Sequence, residues 1–365
     1  MPGWLGTLRR TATCSAACPR LHKRPTRRYP WGRPGAGMWP WKGAAAARRP
    51  GASGAARPPV LENLAVSDPD AWLAARVARS RAAGVWEQAL ERIQRSRPGR
   101  AQEALLFVHG FGACRAEGEA IVEPLAESRG ANVYYARLPG HGRTLDAQAR
   151  VTSVDYQMAA AEALCVAAAL GHSVTVVGSS TGALLGAWLA ATYPDKVNAL
   201  VLASPFYQFA DPAASLLLGA PAAPWLARLV FGEVRDATWD DDPRCMEGYN
   251  DHWLVYQRPE ALVALERLRR LTARPAVFAA VAAPVLQLAY FRSVAEQDAV
   301  VSVAAADAAY AQYNQGTAHP LSRSVRIADG AHILLSEWVR SDKVAVREAC
   351  EAFLFDVFGP PPPPQ

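Results

Sequence analysis

Ser180 occupies the centre of Gly178-Ser179-Ser180-Thr181-Gly182, a G-x-S-x-G pentapeptide. The apolar β-type run Val174–Val177 precedes it and the Ala- and Leu-rich stretch Thr181–Tyr193 follows, so the pattern predicts strand, turn and helix in immediate succession. A turn that tight holds a serine in a strained conformation with its hydroxyl above the sheet edge. Side chains at the two glycine positions would collide with neighbouring backbone. The chemistry this allows is nucleophilic attack. The turn opens a helix whose free N–H groups and positive dipole end can stabilise an oxyanion on the substrate, with the Thr181 N–H as the predicted donor. Ser179 is the competing hydroxyl, but it falls at the wrong position of the pentapeptide.

Upstream, the apolar run Leu105–Val108 leads into His109-Gly110-Phe111-Gly112, whose glycines let backbone approach a bound substrate, and the Phe111 N–H is the second expected oxyanion donor. Arg137-Leu138-Pro139-Gly140-His141-Gly142 follows the next predicted strand as a turn-rich loop on the same rim. With these three motifs in this order the chain resembles the α/β-hydrolase superfamily over Leu105–Phe358, especially its cap-bearing serine esterases and monoacylglycerol-lipase-like hydrolases. The resemblance carries the oxyanion-hole N–H groups to Phe111 and Thr181, and leaves His109 and His141 as structural loop residues.

A serine hydroxyl needs a base within hydrogen-bond reach and a carboxylate to hold that base in the right tautomer. In the resembled fold these follow the serine in the order acid, then histidine, on loops after late strands. That order points to Asp298, which stands before Ala299-Val300-Val301, and to His332, which lies one loop beyond the last predicted strand. An extended segment, Phe291–Gln297, separates strand from acid, so Glu296 stays open as the alternative. Asp329 is too near His332 and reads as a turn former. His172, His252 and His319 lie before the nucleophile strand, in the cap and in a surface turn.

The elements that must position these groups are six apolar β-type runs: Leu105–Val108, Asn132–Tyr135, Val174–Val177, Ala199–Leu202, Val285–Tyr290 and Ser324–Ile327. Helical stretches separate most of them, notably Ser153–Leu170, Thr181–Tyr193, Ala304–Tyr313 and Val344–Phe358. Strands apolar on both faces alternating with helices predict an α/β fold: a mostly parallel central sheet flanked by helices. The alternation breaks over the proline-punctuated segment 205–283, which shows helical but no convincing strand patterns and reads as an inserted helical cap. Asp68 to Ser96 is loosely helical until Pro98-Gly99 ends it. The expected division is therefore a basic extension (1–60), a helical lead-in (61–100), a hydrolase core (101–204 and 284–359), the cap (205–283) and a Pro-rich tail (360–365).

Of the 39 Lys and Arg residues, 12 fall in residues 1–60, which hold no Asp or Glu. All 33 acidic residues therefore lie in the remainder, where they outnumber the basic ones and argue against a nucleic-acid surface. The Arg-, Pro- and Gly-rich extension cannot bury enough surface to fold alone and is expected to be disordered. It reads as an organellar transit peptide, a non-functional extension or an interaction tail. Six cysteines without paired close spacing read as thiols of a reducing compartment, at 14, 18, 114, 165, 245 and 350. Ala163–Pro194 carries no charged side chain, yet its Gly and Ser residues fit a strand and buried helix better than a membrane span. The expected protein is intracellular, soluble and without a transmembrane segment, and organellar (chloroplast or mitochondrion) if the extension is a transit peptide. The oligomeric state is not legible.

Apolar residues of segment 205–283, among them Phe206, Phe209, Trp225 and Leu229, would roof the nucleophile and suit an acyl group better than a sugar or phosphate. The expectation is a serine hydrolase cleaving carboxylic esters, lipid or medium-chain, through an acyl-enzyme on Ser180, with a small-molecule or lipid ester as partner. Thioester or carbon-carbon hydrolysis and acyl transfer use the same groups. Outside catalysis, the alternatives are a receptor that binds in the pocket without turnover and an interaction protein acting through residues 1–60. No zinc spacing, P-loop or dinucleotide fingerprint occurs, so neither metal nor cofactor is expected.

Overall fold

The computed structural model describes residues 66–237, 244–317 and 319–361. The basic extension 1–60 lies outside these residues, as does most of the Pro-rich tail. Ten strands and eleven α-helices follow in chain order: α1 Pro69–Ala82, β1 Arg92–Gln94, β2 Ala101–Val108, α2 Glu119–Arg129, β3 Asn132–Ala136, α3 Leu145–Ala149, α4 Ser153–Leu170, β4 Gly171–Ser179, α5 Thr181–Thr192 and β5 Ala199–Ala203. After them come α6 Pro212–Leu218, α7 Ala223–Phe231, β6 Arg235–Asp236, β7 Tyr256–Gln257, α8 Pro259–Thr272 and α9 Pro275–Ala279. The chain closes with β8 Val285–Ser293, β9 Glu296–Gln297, α10 Val303–Tyr310, β10 Arg323–Ile327 and α11 Lys343–Phe358.

Strands β2, β3, β4, β5, β8 and β10 pair in parallel, in the spatial order β1-β3-β2-β4-β5-β8-β10. Alternation along each strand divides the core in two, because successive side chains point to opposite faces. Leu106 and Val108 of β2, with Leu200 and Leu202 of β5, face one cluster with α4 and α5. Leu105, Phe107, Val201 and Ala203 face the other, against Ile121 and Leu125 of α2 and Phe353 and Leu354 of α11. Covering both faces is what a parallel sheet of apolar strands requires.

Helix α1 starts where Asp68 accepts from the N–H groups of Asp70 and Ala71 and Pro69 takes the first turn. Contrary to the sequence expectation, it does not continue to Ser96. Gly84 takes φ +76° and stops it. A 3-10 turn at Glu87–Ala89 follows, and β1 adds to the sheet antiparallel to β3, with Ile93 opposite Tyr134. Val85, Ala89 and Leu90 instead form a small cluster with Cys114 and Ala116. The segment 205–283 contains helices α6 to α9, but also the two-residue strands β6 and β7, paired through Arg235 and Gln257. Ala163–Pro194 divides into the end of α4, β4 and α5. Among the described residues no helix is long and apolar enough to cross a membrane.

Candidate active site

The turn between β4 and α5 holds Ser180 at φ 51° and ψ −109°, a conformation costly for any residue with a side chain. Backbone bonds on both sides sustain it: the Ser180 N–H donates to Ala203 O at 2.9 Å, and its carbonyl accepts from Leu184 and Phe206. Both flanking glycines are required by space. A Cβ on Gly182 would stand 1.8 Å from Val108 O, and one on Gly178 would stand 2.5 Å from the Gly182 carbonyl carbon. Val108 ends the strand that feeds the Gly110 loop, so this close approach brings the Ser180 turn and the Gly110 loop together.

His332, in the loop after β10, lies with Nε2 3.0 Å from Ser180 Oγ and Nδ1 2.8 Å from Asp298 Oδ2. The other carboxylate oxygen of Asp298 accepts from the N–H groups of Val300 at 2.8 Å and Val301 at 3.0 Å. These bonds leave Oδ2 for the imidazole. The extended segment before the acid is a hairpin: β8 turns back through β9 with an irregularity at Phe291–Ser293, and the Asp298 N–H returns to Tyr290 O. Glu296 is drawn away, bonded to the Tyr290 hydroxyl and paired with Arg292 at an exposed site. Asp329 pairs with Arg244. The structure therefore brings Ser180, His332 and Asp298 together and leaves Glu296 outside the group.

Phe111 and Thr181 both border the same cavity as Ser180 and His332. The Gly110 loop is held by His109. Its Nε2 accepts from the Leu138 N–H at 3.0 Å, which places the proton on Nδ1, and Nδ1 donates to Gly110 O at 2.8 Å. With that carbonyl held back, the N–H of the same peptide, that of Phe111, points to the opposite side. His141 lies 5.0 Å from His109 between ring centres and donates from Nδ1 to Pro139 O. Burial lowers the pKa of His109 well below the usual value and that of His141 to about 4, so both are neutral spacers at neutral pH.

Sequence reasoning missed Glu117. It ends the 3-10 turn Arg115–Glu117, is 1% exposed, and borders the cavity beside Ser180. Its carboxyl accepts from the Gly110 N–H and the Ser179 hydroxyl. The available signal was an acidic residue five positions after the loop glycine Gly112, in a stretch whose small residues imply burial.

The cavity encloses about 570 Å³. Phe206, Phe209, Leu262, Leu265, Val300 and Ile333 supply much of its wall, and Arg235, Gln257 and Gln297 add polar groups. Among the described residues no group of three or more His, Cys, Asp or Glu could hold a metal ion.

A mostly parallel sheet with helices on both faces, turning sharply from β4 into α5 at its carboxyl edge, defines the α/β-hydrolase fold. The chain belongs to the family described as serine aminopeptidase, S33, whose model matches residues 99–337. Among solved structures it is similar to a metagenome-derived lipolytic enzyme of the pair LipS and LipT, with 18% identity, 74% of this chain and 99% of that one covered, and a TM-score of 0.58. It is also similar to a monoacylglycerol lipase of Paleococcus ferrophilus, with 15% identity, 73% and 98% covered, and a TM-score of 0.53. At such identities the likeness is one of fold. No curated protein matches the sequence significantly.

Proposed function

We propose that the protein is a serine hydrolase that cleaves carboxylic esters of apolar acyl groups through an acyl-enzyme on Ser180. The observation that carries this reading is the hydrogen-bonded series Asp298, His332, Ser180, opening into an apolar cavity. Ser180 Oγ attacks the ester carbonyl carbon while its proton passes to His332 Nε2, and Asp298 stabilises the imidazolium. The oxyanion is taken by the N–H groups of Phe111 and Thr181. Collapse of the intermediate breaks the bond to the alcohol, which leaves with the proton from His332. Water then attacks the acyl-enzyme, gives its proton to His332, and the carboxylic acid departs as Ser180 recovers its own.

The apolar wall of the cavity suits an acyl group. On this reading segment 205–283 is a cap that roofs the acyl site with Phe206, Phe209, Leu262 and Leu265.

The test is a fluorophosphonate probe and a series of p-nitrophenyl esters from two to sixteen carbons, applied to the wild type and to Ser180→Ala. Labelling and turnover lost in the variant would support the reading, and the preferred chain length would size the cavity. A folded wild type that does not label would overturn it and favour a receptor that binds without turnover.

A further inference from the structure

Glu117 is a carboxyl group in the interior with two neutral donors and no Lys or Arg partner among the described residues. Burying such a group is expensive, and an amide or hydroxyl would serve a purely structural bond at less cost. Its placement gives the acid a use. One oxygen holds the N–H of Gly110 at 2.5 Å and the other holds the hydroxyl of Ser179 at 2.9 Å. The first is the residue before the proposed donor Phe111, and the second is the residue before the proposed nucleophile. A Cβ on Gly110 would stand 2.9 Å from Glu117 Oε1 and 3.3 Å from Ser180 Cβ, so carboxyl, loop and nucleophile meet at one point.

We propose that Glu117 is a positioning residue: its carboxylate fastens the oxyanion loop to the nucleophile turn and sets a negative charge behind the site that favours the imidazolium form of His332. This rests on the ester-hydrolase reading above. Gly110 is fixed on both sides, its N–H by Glu117 and its carbonyl by His109, so the direction of the Phe111 N–H is set before substrate arrives. The titratable groups facing Glu117 are His332, from the loop after β10, and the thiol of Cys114 on its own segment. Burial pushes that thiol up to about 12, so it stays neutral. His332 is faced in turn by Asp298 and Glu117. Burial holds the pKa of Glu117 above the usual carboxylate value, with its two donors and a protonated His332 opposing that rise.

The test compares wild type, Glu117→Gln and Glu117→Ala for melting temperature, fluorophosphonate labelling rate, and kcat and KM for a p-nitrophenyl ester across pH. Gln keeps an acceptor for Gly110 and removes the charge, so the variant should fold. The acid limb of its kcat/KM profile should move to lower pH by about half a unit or more, because a neutral neighbour no longer favours the imidazolium. Ala also frees the loop, and kcat should fall by about a hundredfold with KM changed less than about threefold. An unmoved acid limb in folded Glu117→Gln overturns the proposal whatever happens to kcat, and it does so even if the Ala variant fails to fold. If the wild type itself neither labels nor turns over, the ester-hydrolase reading fails and this proposal falls with it. A wild type that labels beside a Gln variant with its profile sinks this proposal alone.

Discussion

Each group of the site is held by a bond whose loss has a distinct consequence. Asp298 holds the His332 Nδ1–H with one oxygen and two backbone N–H groups with the other, so Asp298→Asn should fold. An amide can present its NH₂ to Nδ1, leaving the proton on Nε2 where it cannot receive the serine's. The expected loss in kcat is about a thousandfold or more with little change in KM, measured on the preferred p-nitrophenyl ester. His141 makes a different kind of prediction. Its folded pKa of about 4 lies below the ordinary 6.5, so below pH 6.5 the unfolded chain binds more protons than the folded one. Stability is therefore complete above that value and falls as pH drops from 6.5 towards 4, by about 1.4 kcal/mol per unit. In His141→Asn an amide replaces the Nδ1–H that reaches Pro139 O. Between pH 7 and pH 5 the wild type should lose roughly 2 kcal/mol more than this variant, read from urea midpoints at both pH values. Equal losses would mean that His141 is charged in the folded state.

The elements act through how closely they approach. Helix α5 reaches β2 at Gly182, where a Cβ would overlap the Val108 carbonyl oxygen, and no rotamer of a neighbour can yield because the obstacle is backbone. Gly182→Ala should cost more than about 3 kcal/mol and yield little folded protein, whereas Gly186→Ala, one turn further on, should stay within about 1 kcal/mol of wild type. A Cβ there meets the side-chain ends of Leu202, Val176 and Leu200 at 3.2, 3.3 and 3.8 Å, and the helix gains from losing a glycine. Thermal melts of the two variants decide the matter. This contrast also marks what the sequence disclosed. The G-x-S-x-G turn was legible because its glycines answer a local steric demand, and core strands such as β2, β4 and β5 were legible because burial on both faces leaves apolar runs. Strands β1, β6, β7 and β9 were not, since two or three residues carry no period. Nor was the role of Glu117, since its partners lie seven and sixty-two residues away.

Over the whole chain, charge and site are separated. Twelve of the 39 basic residues fall in residues 1–60, where no acidic residue offsets them, and the sequence pI of about 9.1 reflects that stretch more than the rest. Among the described residues, which begin at Val66, lie the strands of the sheet, the two large core clusters, the cavity and the hydrogen bonds of the site. Deleting residues 1–60 should leave ester turnover within about twofold and the melting temperature within a degree or two. The same deletion should reverse the sign of net charge at neutral pH. The full chain should then be retained on a cation exchanger and the shortened one on an anion exchanger. A tenfold fall in turnover on deletion would mean that the extension reaches the cavity or its rim, and the charge-bearing stretch would have to be counted as part of the site. Unchanged turnover with the expected reversal of charge would assign residues 1–60 a role apart from chemistry. On the proposed ester-hydrolase reading, substrate choice would then rest on segment 205–283, whose Leu262 and Leu265 line the cavity with apolar side chains.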